Sequence, residues 1–333
     1  MIKDISIKGF KSIKEANLNC GRINVFIGEP NCGKTNVLEG IGLLGLEFAK
    51  RVENIVRYED FSNLFYDNNI NQNVVLAITF DDVDKLSDQK LSRNTVLEIS
   101  NVNSEYTINY NDDYSPEYSF KAYYQNNKWG GSVGPSKILP VKFYEFKRYK
   151  VYEGKELNFL YPPFGKNLFN ILSINPELRK YAADLFENYG YYLQLEQTSK
   201  KINLSRFQDG VLISQPFYNV ADTLQRVLFF TAIIDSNTDS TILLDEPDVY
   251  LFPKYTKHLA ERIAKYNTNQ FFFTTHNPYF LQTLAEKTPE SDLRIFLTYY
   301  EDFQTKFKLL NPVEVLALRD EDSSIFFNLD KFR

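Results

Sequence analysis

The sequence predicts an α/β fold in which a mixed β-sheet core carries an antiparallel, strand-rich N-terminal part and a helical lobe. Three observations support this fold class. The apolar run "INVFI" is followed by the glycine-containing segment "GEPNCGKT" and then by a helical run from about Lys34 to Val52. Up to about position 150, the other segments are mostly strand-like, with β-branched and aromatic enrichment. Further on, "STILLDE", "YTKHLAERIAKY" and "QFFFTTH" alternate strand, helix and strand, which is typical of a parallel sheet with crossover helices.

Changes in this pattern divide the chain into three consecutive parts. Residues 1–156 contain the strands of the N-terminal part and the glycine-containing loop. In residues 157–230, "NLFNIL", "PELRKYAADLFENYG" and "VADTLQRVLFFTAII" show apolar spacing of three and four, which indicates helices. Residues 231–333 return to alternating strands and helices, and "FLTYYEDFQTKFKLL" predicts a closing hairpin.

Composition restricts the class of protein. Of the 333 residues, 43% are hydrophobic and 24% are charged, as in ordinary folded proteins. The sequence contains no uninterrupted run of about 18 apolar residues, so no membrane span is predicted. Cys20 and Cys32 are the only cysteines, which favours a reducing cytoplasmic location. His258 and His276 are the only histidines, so a zinc site is not expected.

The segment "GEPNCGKT" fits the phosphate-binding pattern G-x-x-x-x-G-K-[S/T]. Its glycines allow successive backbone N–H groups to face phosphate oxygens, and the following helix adds the positive end of its dipole. In this pattern Lys34 bridges the β- and γ-phosphates, and the Thr35 hydroxyl is a ligand of Mg²⁺. The alternative is a glycine turn without a ligand. The predicted ATP-binding residues of the loop are Gly28, Glu29, Pro30, Asn31, Cys32, Gly33, Lys34 and Thr35.

Two further apolar runs end in polar residues that ATP hydrolysis would need. Asp245 and Glu246 directly follow "STILL", where Asp245 is expected to hold Mg²⁺ and Glu246 to orient or deprotonate the attacking water. His276 follows "FFFTT" and is expected to contact the γ-phosphate or the water. Because carboxyl ends of parallel strands share one edge, these residues should meet the loop. The alternatives are an acidic turn and a surface or core histidine. The predicted catalytic residues are Glu246, His276 and Lys34, and the predicted metal ligands are Thr35 and Asp245.

These segments resemble the ATPase heads of the ABC class, specifically those of the SMC, RecF and OLD-type AAA ATPases. The likeness covers most of the chain. "IKGFKSIKEANLNCGRINVFIGEPNCGKTNVLEGI" is similar to their N-terminal block, "LLDEPDVYLFP" to their Walker B and D-loop segment, and "FFFTTHNPYFL" to their switch-histidine strand. The resemblance implies a P-loop NTPase fold of the ABC-ATPase type, with ATP and Mg²⁺ as cofactors. It also implies that Lys11 and Asn36 belong to the nucleotide site.

The signature segment of that family is less regular in this chain. The family pattern is close to L-S-x-G-x-Q-R, whereas "VADTLQR" has Ala221 in place of the serine and Thr223 in place of the glycine. Gln225 and Arg226 keep their places. In family heads this segment meets the γ-phosphate of a second subunit, which implies an ATP-dependent homodimer. The alternative for this segment is the start of an ordinary amphipathic helix. A clear Q-loop glutamine is also not evident, and "YEDFSNLFYDNN" is the best candidate region for it.

Two absences separate this chain from relatives within that class. No heptad pattern between Thr35 and Ala221 lasts three or four repeats, so a coiled-coil arm is not expected. About 57 residues follow His276, too few for the Toprim domain of OLD-type nucleases. The chain is therefore expected to act with a separate effector protein, such as a nuclease or a toxin.

The favoured interpretation is an ATP-hydrolysing, nucleotide-gated dimer that acts in DNA repair or anti-phage defence. A second interpretation is the ATPase motor of a membrane transporter, and a third is a slowly hydrolysing ATP-dependent scaffold. The net charge of −5 argues against a protein that coats DNA through its overall electrostatic attraction to the phosphates. A basic run in "SKILPVKFYEFKRYKVYEGK" is either a solvated strand face or a nucleic-acid or partner surface. Its basic residues are Lys137, Lys142, Lys147, Arg148, Lys150 and Lys155.

Overall fold

The computed structural model describes residues 1–83, 90–103, 105–112, 120–125, 128–129, 139–320 and 329. A six-stranded mixed sheet lies between two hydrophobic cores. In spatial order, its strands are β16 (Gln304–Leu309), β15 (Leu293–Glu301), β3 (Ile23–Ile27), β14 (Gln270–Thr274), β13 (Thr241–Leu244) and β9 (Val141–Tyr144). Five of these strands are parallel, and β16 returns antiparallel to β15 as the predicted closing hairpin.

Four strands of this sheet, among them the edge strand β9, are mainly apolar because both faces of the sheet are covered. β3, β13, β14 and β9 are buried along their whole length. Successive side chains enter opposite cores, so Val25 and Phe273 lie in one cluster while Phe26 and Phe272 lie in the other. Continuous apolar runs are what a parallel sheet with two covered faces requires. The predicted α/β fold with a mixed sheet core is confirmed.

An antiparallel sheet forms the N-terminal part, as predicted. Its described strands, in spatial order, are β2 (Ile13–Asn19), β1 (Ile2–Phe10), β4 (Val74–Val83), β5 (Lys90–Val102), β6 (Glu105–Asp112), β7 (Phe120–Gln125) and β8 (Lys128–Trp129). Helix α1 (Lys34–Gly42) packs Val37, Leu38 and Ile41 into the core that lies between this sheet and the central one. The loop before α1 is therefore held between two sheets.

The helix expected from Lys34 to Val52 is divided in the structure. α1 ends at Gly42, a 3-10 turn covers Leu43–Gly45, and a short helix α2 (Leu46–Ala49) follows. The interruption falls where the run contains glycines, which lower helix propensity by about 1 kcal/mol each. The predicted element exists, but the prediction of one continuous helix was wrong.

The middle of the chain contains the predicted helices and also a sheet that the sequence analysis did not predict. The helices are α3 (Leu168–Ile174), α4 (Pro176–Glu187) and α5 (Asp222–Ser236). The additional antiparallel sheet consists of β10 (Tyr192–Glu196), β11 (Lys201–Gln208) and β12 (Val211–Pro216). β11 alternates at Ile202 and Leu204, which are buried, but β12 carries the consecutive apolar run "VLI" and is mostly exposed, so the three strands share no common period of two.

The last third of the chain contains three helices, two of which are crossovers of the central sheet. They are α6 (Pro253–Lys265), α7 (Pro278–Lys287) and α8 (Pro312–Asp320). α6 connects β13 to β14, and α7 connects β14 to β15. None of the helices in the described ranges is long and apolar enough to span a bilayer.

The basic run does not form one continuous exposed face. Lys137 lies outside the described residues. Lys142 is buried in β9, where its Nζ donates to Asn237 Oδ1 at 2.6 Å and to Ser240 Oγ at 3.1 Å. Burial lowers the pKa of Lys142 to about 8. Lys142 is thus part of the interior rather than of a nucleic-acid surface. The exposed basic residues of the run are Lys147, Arg148, Lys150 and Lys155.

Candidate active site

The three predicted segments meet at one edge of the central sheet. β3, β14 and β13 are parallel neighbours, with Phe26 opposite Thr274 and Phe273 opposite Leu244. The residues that follow these strands therefore leave the sheet side by side. A cavity of about 740 Å³ lies at this edge. It is lined by Ser12, Glu29, Pro30, Asn31, Cys32, Gly33, Lys34, Thr35, Asn36, Arg57, Glu246, His276 and Tyr300.

The phosphate loop has a backbone that only glycine fits at two positions. Gly28 has a φ of 152° and Gly33 a φ of 94°. A Cβ atom at Gly28 would lie 2.0 Å from the carbonyl oxygen of Thr298, and one at Gly33 would lie 2.1 Å from Thr305 Oγ1. The loop is thus pressed against β15 and β16, and its glycines are needed for this close approach as well as for their dihedral angles.

Lys34 is folded back over the loop. It is the first residue of α1 and is buried, and its Nζ donates to the carbonyl oxygens of Gly28 at 3.1 Å and Glu29 at 2.7 Å. Burial lowers the pKa of this ammonium group, whereas the carboxylates of Glu246 and Asp245 favour its charged form. A phosphate group in the cavity would supply the anionic acceptor that the loop carbonyls do not.

Thr35 and Asp245 form the candidate magnesium site. Thr35 Oγ1 donates to both carboxylate oxygens of Asp245 at 3.1 Å. Thr274, at the end of β14, donates to Asp245 Oδ1 at 2.7 Å and accepts from the backbone N–H of Glu246 at 2.9 Å. A hydroxyl and a carboxylate at this spacing fit Mg²⁺, which prefers oxygen ligands and takes few of them from the protein.

Glu246 and His276 lie together beside this pair. His276 Nε2 is 3.3 Å from Glu246 Oε1, and both side chains are partly exposed. Burial raises the pKa of Glu246, assisted by the charge of Asp245, while Lys34 opposes the shift. Burial also lowers the pKa of His276, and Lys34 acts in the same direction. The imidazole is therefore favoured in its neutral form, beside a carboxylate with increased affinity for protons.

Two residues of the N-terminal block lie near the loop but contact other protein groups. The ammonium group of Lys11 forms an ion pair with Glu39, and burial lowers its pKa. Asn36 Nδ2 donates to Ser12 Oγ at 2.6 Å, and both Asn36 and Ser12 line the cavity. The structure thus places Asn36 at the cavity, whereas Lys11 contacts Glu39 on α1 and does not line the cavity.

The two signature residues differ in orientation. Gln225 is buried, and its Nε2 donates to the carbonyl oxygens of Tyr218 at 3.2 Å and Val220 at 2.7 Å, which fixes the start of α5. Arg226 pairs with Asp222 at 2.7 Å and lines a second cavity of about 420 Å³ that adjoins the first. Of this pair, the structure places only Arg226 in contact with an open cavity at the site.

Arg57 is a site residue that the sequence analysis missed. Its side chain lines both cavities, which also share Thr35 and Glu246. Arg57 Nε donates to Glu39 Oε1 at 3.1 Å, so the exposed guanidinium group is held from one side. Glu39 lies one turn after Thr35 on α1 and is buried. A carboxylate on the buried face of a helix needs a cationic partner. The position of Glu39 in the sequence could therefore have indicated that such a partner exists, though not which residue it is.

Sequence comparison identifies the family of the chain. Residues 23–282, more than half of the chain, match the protein-family profile described as "AAA domain, putative AbiEii toxin, Type IV TA system". The chain belongs to this AAA-domain family. The matched range contains the phosphate loop, Asp245, Glu246 and His276, whereas the β15–β16 hairpin lies beyond it. A comparison with curated proteins found no match.

Solved structures confirm the fold of this AAA-domain chain. An SMC head bound to the C-winged helix domain of ScpA matches with a TM-score of 0.57 at 15% identity, over 95% of this chain and 99% of that one. A Pyrococcus furiosus Smc head with an extended coiled coil, bound to the C-terminal domain of ScpA, gives 0.55 at 14% identity, over 95% and 98%. At these identities the likeness concerns the fold, and the predicted fold of an SMC-type P-loop ATPase head is confirmed.

Asp248 is a buried acidic residue next to this AAA-domain site; it lines neither cavity, and sequence reasoning did not single it out. It lies two residues after Glu246 and is buried, and its Oδ1 has no hydrogen-bond partner among the described residues. Burial raises the pKa of Asp248 to about 7. Between the pKa of an unfolded aspartate, about 4, and this value, the folded state holds a proton that the unfolded state does not. The contribution of this group to folding stability therefore falls as the pH rises through that window.

We expect Asp248→Asn to be more stable than the wild type, and increasingly so at higher pH. One pKa unit corresponds to about 1.4 kcal/mol, so its advantage in free energy of unfolding should grow by up to roughly 3 kcal/mol between about pH 5 and about pH 8. Urea unfolding of both proteins at the two pH values measures this. Asp239→Asn, at an exposed aspartate, is the matched control. A difference independent of pH would contradict the raised pKa.

Proposed function

We propose that this chain binds ATP with Mg²⁺ and hydrolyses it in the 740 Å³ cavity. The observation that supports this most is that three chemically distinct sets of side chains lie at one edge of the central sheet. These groups are a buried ammonium on the phosphate loop, a hydroxyl–carboxylate pair, and a carboxylate–imidazole pair. Phosphoryl transfer depends mainly on positioning and charge stabilisation, and these groups supply both.

Each group has a separate proposed role. Lys34 binds the β- and γ-phosphate oxygens in place of the loop carbonyls that it now contacts. Thr35 and Asp245 would hold Mg²⁺, which neutralises charge on the phosphates when bound. Glu246, whose pKa is raised by burial, accepts a proton from the attacking water, and neutral His276 orients the water or the γ-phosphate.

The proposed assembly is a homodimer held together by ATP. Two exposed aromatic residues, Tyr250 and Phe252, follow the Glu246 segment and offer apolar surface to a second copy. Thr223 Oγ1 donates to the carbonyl oxygen of Tyr250 at 2.6 Å, which fixes the start of α5 against this surface. Arg226, which lines the second cavity, is the signature residue proposed to reach the γ-phosphate bound by the other copy, while a nucleotide contact of Gln225 stays a prediction.

The proposed cellular role is in a DNA-linked process, repair or anti-phage defence, with a separate effector such as a nuclease or a toxin. Both solved SMC heads are bound to a domain of ScpA, and a head that works with another protein fits this pattern. The family description, "AAA domain, putative AbiEii toxin, Type IV TA system", refers to the matched domain and names no separate effector. The exposed basic residues that follow β9 are the proposed contact for nucleic acid or partner, and the cytoplasm is the proposed location.

We expect Lys34→Ala to lose ATP binding, and Glu246→Gln to bind ATP but lose nearly all turnover. The first change removes the cation at the phosphates, and the second removes the proton acceptor while preserving shape. Loss of one such group typically reduces the rate by about 10² to 10⁴. Equilibrium binding and phosphate release measure the two effects. Lys50→Ala and Glu290→Gln, at exposed positions, are matched controls. Unchanged turnover in Glu246→Gln would contradict its assignment and favour a slowly hydrolysing scaffold.

We also expect Glu246→Gln to form more dimer with Mg·ATP than without it. A ligand that binds the paired state more tightly must shift the population toward that state. Light scattering at several protein concentrations measures the mass. The double variant Lys34→Ala, Glu246→Gln should show no shift with ATP. A constant oligomer mass with and without ATP would mean that another surface makes the assembly.

A further inference from the structure

One wall of the nucleotide cavity has no role in the proposed hydrolysis. In the central sheet, β15 and β16 lie on one side of β3, whereas β14 and β13 lie on the other. Glu246 and His276 follow β13 and β14, so the hydrolytic residues are all on the second side. A nucleotide with its terminal phosphate there has its base at the other end of the cavity. On that side the cavity is lined by Tyr300 of the β15–β16 hairpin.

The hairpin is fixed directly to the phosphate loop. Thr305 is fully buried on β16, and its Oγ1 donates to the carbonyl oxygen of Cys32 at 2.9 Å and lies 2.6 Å from Ser12 Oγ. The backbone N–H of Thr305 donates to the carbonyl oxygen of Ser12 at 2.8 Å. The position of this hairpin relative to the loop is thus fixed by its contacts with Cys32 and Ser12, both of which line the cavity.

Tyr300 faces the cavity from this hairpin. It is paired directly with Thr305 across the two strands. Directly opposed residues of an antiparallel pair have side chains on the same face, so Tyr300 lies on the face that contacts the phosphate loop. Its side chain lines the 740 Å³ cavity and is 50% exposed. A half-exposed aromatic ring beside a phosphate loop offers a flat apolar surface to a ligand.

The turn of the hairpin carries a second exposed aromatic residue in an unfavourable conformation. Asp302 and Phe303 have φ values of 51° and 60°, although glycine or asparagine is usual where both turn residues have positive φ. The side chain of Phe303 is 80% exposed, so core packing does not compensate for the strain. The hydroxyl group of Tyr66 donates to the carbonyl oxygen of Phe303 at 3.0 Å and holds the tip in place.

We propose that Tyr300 forms the platform on which the base of the bound nucleotide stacks. This inference rests on the proposed function, because the phosphate loop must first bind the phosphates. Stacking of a base on an aromatic ring is worth about 1–3 kcal/mol and tolerates any base. The platform therefore adds affinity for a nucleotide over its phosphates alone and takes no part in the chemical step.

The test compares ADP with inorganic pyrophosphate, both with Mg²⁺, by titration calorimetry on the full chain. Tyr300→Ala should bind ADP roughly tenfold to a hundredfold more weakly, as expected for the loss of one stacked ring. Its affinity for pyrophosphate should match that of the wild type, which also shows that the loop is intact. Tyr300→Phe should bind ADP normally. Phe207→Ala, at an exposed ring on β11, is the matched control.

The outcomes separate this inference from the proposed function. Unchanged ADP affinity in Tyr300→Ala overturns the platform and leaves the nucleotide site standing. Equal losses for ADP and pyrophosphate also overturn it, since Tyr300 would then support the loop rather than the base. Binding of neither ligand to the wild-type chain would overturn the proposed function and this inference with it.

Discussion

The parallel pairing of β3, β14 and β13 is the constraint on which the site depends. Each strand sends alternate side chains into two different cores, so a shift of one residue would transfer every side chain to the wrong side. The register is therefore strongly determined by packing. It also sets the points at which Gly28, Asp245 and Thr275 leave the sheet, and these points become neighbours before any polar contact forms. The hydrogen bonds among Thr35, Thr274 and Asp245 then refine this arrangement.

The parts of the site that could be predicted from the sequence are those with a local signal. A strand, a glycine loop and a helix are contiguous, and Asp245 and His276 each follow an apolar run. The orientation of Gln225 could not be predicted in this way. A helix start at "VADTLQR" allows its amide to face outward or to bind the carbonyl groups of the preceding turn. The choice depends on the positions of Tyr218 and Val220, which the helical pattern does not contain.

Ion pairs between distant segments are the second feature that the sequence left open. Glu39 is buried and contacts Lys11, 28 residues before it, and Arg57, 18 residues after it. A carboxylate in the interior needs such partners, because removing one from a buried pair typically costs about 3–5 kcal/mol. The position of Glu39 on the buried face of α1 indicates this need, but the identity of the partners follows only from the fold. The pairs join the β1–β2 turn, α1 and the segment after α2 around the start of the phosphate loop.

The conformation of the phosphate loop is a property of the whole sheet edge rather than of its eight residues. Positive φ values at Asn31 and Gly33 are strained or glycine-dependent, and such a backbone persists only where its surroundings enforce it. Asp245 holds Thr35 from the side of β13, and Thr305 holds Cys32 from the side of β16. A ligand that contacts both ends of the cavity would add to both restraints. Because it binds only the folded state, it would also raise the free energy of unfolding, and more so the further its concentration exceeds its Kd. The loop "GEPNCGKT" therefore keeps this conformation because Asp245, which follows β13, and Thr305 on β16 hold it from its two sides.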